Sequence, residues 1–200
     1  MSGPPPEDAA WVSIDTPLAK AQLLAFCRKP ELLLRINSTL ELVEWRALGP
    51  SRFFMRARHL ADNREFGTPL RVEATETGCR LVFERGLKSA TEFRVEAGAT
   101  GAGARLVVLD DYSTTPAAER AARLDEVDRG LTQWGGDLRR YFLLWRLWSW
   151  LAPWRWYMER VWPRMKPASR RLVFILLVVS AAELAALLLL VAVYQLESGD

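Results

Sequence analysis

The run LVFILLVVSAAELAALLLLVAVY, from Leu172 to Tyr194, constrains this chain more than any other feature. Its 23 residues contain no basic side chain and one ionisable group, Glu183. A helix rises about 1.5 Å per residue, so the run reaches roughly 34 Å, enough to cross a hydrocarbon layer of about 30 Å. Apolar runs of 18 or more residues are the usual mark of a span, and a buried helix of a soluble domain is the weaker alternative. The expectation is a single-pass transmembrane helix at 172–194, followed by a short tail at 195–200.

Charge is distributed to match. Residues 1–137 carry 18 Lys/Arg and 20 Asp/Glu, and residues 138–200 carry nine and four. The net charge of +3 is therefore concentrated at the apolar end, which points to anionic lipid head groups and away from nucleic acid. Arg146, Arg155, Arg160, Arg164, Lys166, Arg170 and Arg171 precede the run, and Glu197 and Asp200 follow it. The positive-inside rule then places the N-terminal domain in the cytoplasm. The Ala- and Arg-rich composition suggests a bacterium with a GC-rich genome, and the membrane is expected to be a bacterial inner membrane. Residues 1–9 read as a flexible, proline-rich lead with no signal peptide. Cys27 and Cys79 have no metal-type spacing and read as free thiols in a reducing compartment.

Six of the nine tryptophans fall between Trp145 and Trp162. Trp145, Trp148, Trp150, Trp154, Trp156 and Trp162 alternate with Arg155, Arg160 and Arg164. An indole is apolar yet needs a wet partner for its N–H, so it favours the membrane interface. The segment 148–171 is expected to form an interfacial helix that turns the domain toward the lipid, with docking to another protein as the alternative. Within the span, Ser180, Ala181, Ala182, Ala185 and Ala186 surround Glu183. Such small residues allow close helix packing, and a carboxylate at mid-depth costs roughly 2.5 kcal/mol or more unless protonated or paired. A homo-oligomer or a membrane-protein partner would supply that contact through Ser180, Ala182, Glu183 and Ala186.

Upstream, AWVSID at 10–15 reads as a strand. Thr16 and Pro17 read as the cap and first turn of a helix ending at Cys27, and Pro30 opens a second. From Leu40 the period becomes two. Strands are expected at 40–45, 52–60, 70–76, 79–85, 91–97 and 104–112, separated by Leu48–Pro50, Gly67–Pro69, Thr77–Gly78, Gly86 and the hairpin loop Gly98–Gly103. A long helix starts near Pro116. Leu124, Val127, Leu131, Trp134, Leu138, Tyr141 and Trp145 make one apolar stripe on it. Gly135 and Gly136 in its middle cost on the order of 2 kcal/mol against alanine, which implies a bend or a close approach.

This order of elements, with the Gln133–Tyr141 stretch QWGGDLRRY and the helical pair PLAKAQLLAFCRKPELLLRIN, resembles the START-like superfamily, including the SRPBCC and polyketide cyclase/dehydrase-like families. The resemblance covers residues 10–147 and implies an α+β helix-grip fold. In that fold a curved antiparallel sheet wraps the long last helix over a deep apolar cavity. The span that follows departs from the minimal family pattern.

Chemistry-bearing residues are sparse. With one histidine, His59, neither a Ser-His-Asp triad nor a His/Cys metal site is available, and no cofactor or metal is expected. His59 shares strand parity with Phe53, Met55 and Ala57, so it is the candidate for an acid–base role, against a hydrogen-bonded strand-end histidine. Asp110 and Asp111 are adjacent, so they point to opposite faces and read as turn or cap residues. The candidate cavity residues are Phe53, Met55, His59, Phe93, Leu131, Trp134 and Leu138. These readings favour a membrane-anchored binding protein for a hydrophobic small molecule such as a lipid, isoprenoid or quinone, and not an enzyme. A cyclase- or dehydratase-type enzyme and an adaptor of a membrane complex are the alternatives.

Overall fold

The alternating segments pair into one seven-stranded antiparallel sheet, with helices on its inner face. The computed structural model describes residues 8–98 and 103–198, without the side chains at 117, 119–126, 167, 168, 171, 174, 181, 192, 193 and 196–198. The strands are β1 (Ala9–Thr16), β2 (Leu40–Ala47), β3 (Arg52–His59), β4 (Glu65–Thr75), β5 (Gly78–Phe83), β6 (Ala90–Ala97) and β7 (Ala104–Asp111). The spatial order β1-β7-β6-β5-β4-β3-β2 is a meander closed by the first strand, which pairs with the last. Two short helices, α1 (Lys20–Cys27) and α2 (Pro30–Ile36), join β1 to β2, and the 32-residue α3 (Ala117–Trp148) follows β7. This is the α+β helix-grip arrangement expected from the order of elements.

Burial follows strand parity. Along β7, residues alternate between buried and partly exposed without exception. Inward-facing Ile14, Met55, Leu81, Phe93, Val95, Leu106 and Val108 meet Leu23, Phe26, Leu33 and Ile36 from α1–α2 and Leu131, Trp134, Leu138, Tyr141 and Phe142 from α3. The outer face carries ion pairs such as Arg52–Glu84, Arg80–Asp111 and Arg105–Asp15. Such exposed pairs contribute about 0–1 kcal/mol each, so they mainly keep the face wet.

Two local readings are corrected. Thr16 does not cap α1: it ends β1, donates to the Ala104 carbonyl at 2.8 Å, and accepts from the Leu18 N–H at 3.3 Å. The helix starts three residues later, where the Gln22 side chain reaches back to the Ala19 N–H at 3.0 Å. Gly67–Pro69 does not break the chain but lies inside β4, opposite Arg56–Phe54 of β3. An added Cβ on Gly67 would come 3.0 Å from the Phe54 ring, so the glycine makes room for an outward aromatic. Pro69 directs its carbonyl toward the β5 side, to the Glu84 N–H, just past the end of β5. Its missing N–H falls just beyond the Leu70–Phe83 pair, where the β4–β5 ladder ends. Finally, residues 99–102 of the glycine-rich hairpin loop, and 1–7 of the N-terminal lead, lie outside the described residues.

The mid-helix glycines divide in role. A Cβ on Gly135 would meet Val12 Cγ2 at 2.8 Å, whereas one on Gly136 would meet nothing within 4 Å. Gly135 is therefore the point where α3 closes onto β1, as the glycine pair implied.

The chain divides into two compact units, Met1–Pro163 and Arg164–Asp200. The first extends past α3 through a five-residue helix α4 (Ala152–Trp156) and a π turn at Tyr157–Val161. The expected single interfacial helix is thus replaced by short pieces. The Tyr141 hydroxyl donates to the Met158 carbonyl at 3.0 Å, and Lys29 Nζ lies 2.6 Å from Glu159, folding these pieces back onto the domain. The second unit is dominated by one continuous helix, α5 (Pro167–Ser198). Its large apolar side chains are exposed, among them Leu176, Leu177, Leu184, Leu188 and Leu190. Ser180, Ala182, Glu183 and Ala186 are exposed as well. Among the described residues no helix is long and apolar enough to cross a membrane, and five side chains between 171 and 193 lie outside that set.

Candidate functional site

A cavity of about 480 Å³ opens between the sheet and the N-terminal half of α3. Strand parity brings Met55 and His59 of β3, Phe66 and Thr68 of β4, Phe83 of β5 and Asp110 of β7 into its wall. Leu34, Asn37, Thr39 and Leu40 close one side, and Val127, Gly130, Leu131 and Trp134 of α3 close another. Gly130 helps explain the opening: an added Cβ there would meet nothing within 4 Å. A larger residue at that point of the helix would fill the space.

Four of the seven residues predicted to line the cavity do so: Met55, His59, Leu131 and Trp134. Phe53, Phe93 and Leu138 do not. Phe53 stacks on Trp45 at 5.0 Å between ring centres, near the far end of β3. Phe93 and Leu138 are fully buried in the core, with Phe93 edge-on to Trp134 at 5.5 Å. All seven have the right parity or stripe position. Parity selects a face of the sheet, however, and not the end of the sheet where packing is left open.

His59 is both a strand-end histidine and a wall residue. Its Nδ1 lies 3.2 Å from Asp62, which also accepts from the Arg64 backbone N–H at 3.1 Å. That backbone bond, helped by the Arg64 and His59 charges, holds the Asp62 carboxyl below its usual range. Asn63 takes the left-handed conformation, φ 56°, that lets this loop turn tightly.

The principal polar group was not foreseen. Asp110 is 5 % exposed and faces the cavity rather than capping a turn, while Asp111 faces outward to Arg80. Their opposite directions are those expected of strand neighbours. Both Asp110 oxygens accept from Lys88 Nζ at 2.9 Å, and Oδ1 also accepts from Thr91 and Oδ2 from Tyr112 at 3.4 Å. The Tyr112 phenol is pushed well above its ordinary range, first by burial and then by the Asp110 charge beside it. Lys88 lies over the rings of Trp134 and Phe83, 5.4 and 5.6 Å from their centres. Trp134 is itself held by its Nε1 donating to the Leu33 carbonyl at 3.1 Å. The residue alternation in β7 carried the only sequence signal for this network, an aspartate at an inward position.

The tryptophan segment divides into two sets. Trp145, Trp154 and Trp162 turn inward, against Phe26, Tyr157 and Tyr141 respectively. Trp154 Nε1 donates to the Leu144 carbonyl at 3.2 Å, whereas Trp145 Nε1 is buried with no acceptor among the described residues. Trp148, Trp150 and Trp156 are exposed, as are Arg155, Arg160 and Arg164. From Trp134 to Trp148 the helix α3 advances roughly 21 Å. Trp148, at the C-terminal end of α3, is thus remote along the helix from the wall residues Val127, Gly130, Leu131 and Trp134.

Among the described residues no cluster of His, Cys, Asp and Glu could hold a metal ion. Cys27 and Cys79 are both free and buried. The Cys79 thiol is pushed far up by its hydrogen bond with Cys27 and by burial.

No family model matches the chain, and no curated protein matches it. Solved structures do. The crystal structure of DR_A0006 from Deinococcus radiodurans matches with a TM-score of 0.51 and 17 % identity, over 70 % of this chain and 98 % of that one. The di-domain ARO/CYC StfQ from the steffimycin biosynthetic pathway matches with a TM-score of 0.51 and 9 % identity, over 70 % of this chain and 52 % of that one. At these identities the likeness establishes a shared fold, the helix-grip architecture already evident in the order of strands and helices.

Proposed function

We propose that this chain is a membrane-anchored binding protein whose cavity takes a hydrophobic small molecule, such as a lipid, isoprenoid or quinone, at the cytoplasmic face of a bacterial membrane. The observation that carries the reading is the cavity between sheet and α3. At about 480 Å³ it falls in the range of small-molecule sites, and its wall is largely apolar with a few placed polar groups. The apolar run of α5 supports the anchor, with its exposed leucines and valines needing a cover that water does not provide. The basic residues before it support the cytoplasmic orientation. Trp148, Trp150, Trp156, Arg155 and Arg160 would meet the head groups, and Glu183 with its small neighbours would meet a second span.

The test is mass spectrometry of small molecules that co-purify with the full chain from native membranes, beside a Gly130→Trp variant. Wild type should carry a hydrophobic molecule that the variant lacks. A wild-type chain that reproducibly carries none, while retaining a stoichiometric protein partner, would favour an adaptor instead.

A cyclase- or dehydratase-type enzyme is the second reading. One observation favours it: Asp110, Tyr112 and Lys88 converge on the cavity wall, where acid–base chemistry would need them. Against it, the acceptor positions of Asp110 are already occupied, which leaves no lone pair to take a substrate proton.

A further inference from the structure

We propose that the molecule bound in this cavity is an amphipathic anion, with an apolar body and a carboxylate or similarly acceptor-rich head. The inference rests on the cavity being a binding site and adds the chemistry of what it takes. It follows from the balance of side-chain donors and acceptors in the wall.

The charged acceptor is spent. A carboxylate offers about four acceptor positions. Those of Asp110 receive Lys88 twice, Thr91 and Tyr112. Asn37 Oδ1 receives the Thr39 N–H and hydroxyl at 2.9 and 2.7 Å. Thr68 Oγ1 receives the Arg85 N–H and donates onward to the Pro69 carbonyl.

The donors are in surplus. Lys88 has three ammonium protons, and Asp110 engages two. Arg85, an exposed residue, lines the cavity with no ion pair among the described residues. Arg64 has only the 3.5 Å approach of Asp62. The Asn37 amide NH₂ has no acceptor among the described residues. Neutral acceptors remain on the Thr39 and Tyr112 hydroxyl oxygens, whose protons go to Asn37 and Asp110.

Charge points the same way, since Arg64, Arg85 and Lys88 line the described wall against one carboxylate, Asp110. A head group made of donors would offer these cations no partner. An anionic head would accept charge-assisted hydrogen bonds, which are about twice as strong as neutral ones. Trp134, Phe83, Phe66, Leu131 and Met55 supply the surface for the apolar body.

The test compares two probes with one body, 1-pyrenebutanoate and its uncharged amide, titrated into the full chain in nanodiscs with empty nanodiscs as the partition reference. Wild type should bind the carboxylate at least tenfold more tightly than the amide. Arg85→Gln should reduce that preference several-fold, and Lys88→Met combined with Asp110→Asn should reduce it further. Equal affinity for both probes, or tighter binding of the amide, overturns the anionic head and leaves the binding site standing. Binding of neither probe overturns the cavity as a binding site, and the anionic head falls with it.

Discussion

Lys88 reaches from the β5–β6 connection to Asp110 on β7, its ammonium nitrogen 2.9 Å from both carboxylate oxygens. The two residues are 22 positions apart and lie on the wall of a cavity, with the Asp110 side chain 7 % exposed and that of Lys88 28 %. A pair this sheltered is costly to break from one side. Asp110→Ala strands the lysine beside two aromatic rings and should cost about 3 kcal/mol. Replacing both, as Lys88→Met with Asp110→Asn, should recover more than half of that. Thermal unfolding followed by near-ultraviolet circular dichroism distinguishes the two. Equal losses in single and double variants would show that the pair acts by shape and not by charge.

The glycines of α3 should respond with opposite signs. Gly136→Ala gains helix propensity of about 1 kcal/mol in open space. Gly135→Ala places a methyl 2.8 Å from the branched side chain of Val12 and should lose about 1 kcal/mol or more net of the same gain. Melting temperatures of the two variants, one raised and one lowered, check the close approach of α3 to β1. A rise in both would remove it.

Alkali should unfold the domain through its buried tyrosines. Burial pushes the phenols of Tyr112 and Tyr141 above the value they have when unfolded, with Asp110 adding to the first and Glu159 to the second. Their contribution is intact below the unfolded value of about pH 10 and is lost as pH rises toward the folded values. Phenolate absorbance from these two residues should appear together with loss of tertiary signal. Ionisation of either one while the domain stays folded would contradict their burial. Tyr141→Phe also removes the bond to the Met158 carbonyl, and should cost about 1 kcal/mol and speed amide exchange at Tyr157–Val161.

The two sets of tryptophans should separate stability from lipid contact. Trp150 and Trp156 are exposed, so replacing both with phenylalanine should change stability by less than about 0.5 kcal/mol. If they meet lipid, the same change should reduce quenching of tryptophan emission by brominated lipids in nanodiscs. Trp154→Ala removes a packed ring and its bond to Leu144, and should cost about 2 kcal/mol with little effect on quenching. Quenching that survives loss of Trp150 and Trp156 would place the interface elsewhere.

Much of the domain was legible one residue at a time. Alternation in β3, β6 and β7 set which side chains turn inward, and the stripe on α3 named Leu131, Trp134, Leu138 and Tyr141, which pack beneath them. Both signals are local, because a strand repeats every two residues and a helix every 3.6. Gly67 and Pro69 misled for the same reason. They weaken a strand in isolation, but here Phe54 needs the missing Cβ and Pro69 lies past the end of its neighbour β5.

The sequence by itself determined the order of elements, the inward face of the sheet, the gathering of positive charge at the C-terminal end and the apolar run within α5. Only the tertiary structure decided where that inward face stays unfilled. Met55 and His59 line the cavity while Phe53, on the same strand and parity, stacks on Trp45. It also decided that Lys88, Asp110, Thr91 and Tyr112 form one network, and that three tryptophans turn inward while three stay exposed. The physical reason is that a cavity is a failure of distant elements to meet. It depends on how α3 lies across the strands, on a glycine at 130 and on which end of the sheet the helix leaves uncovered. No repeat along the chain records those relations.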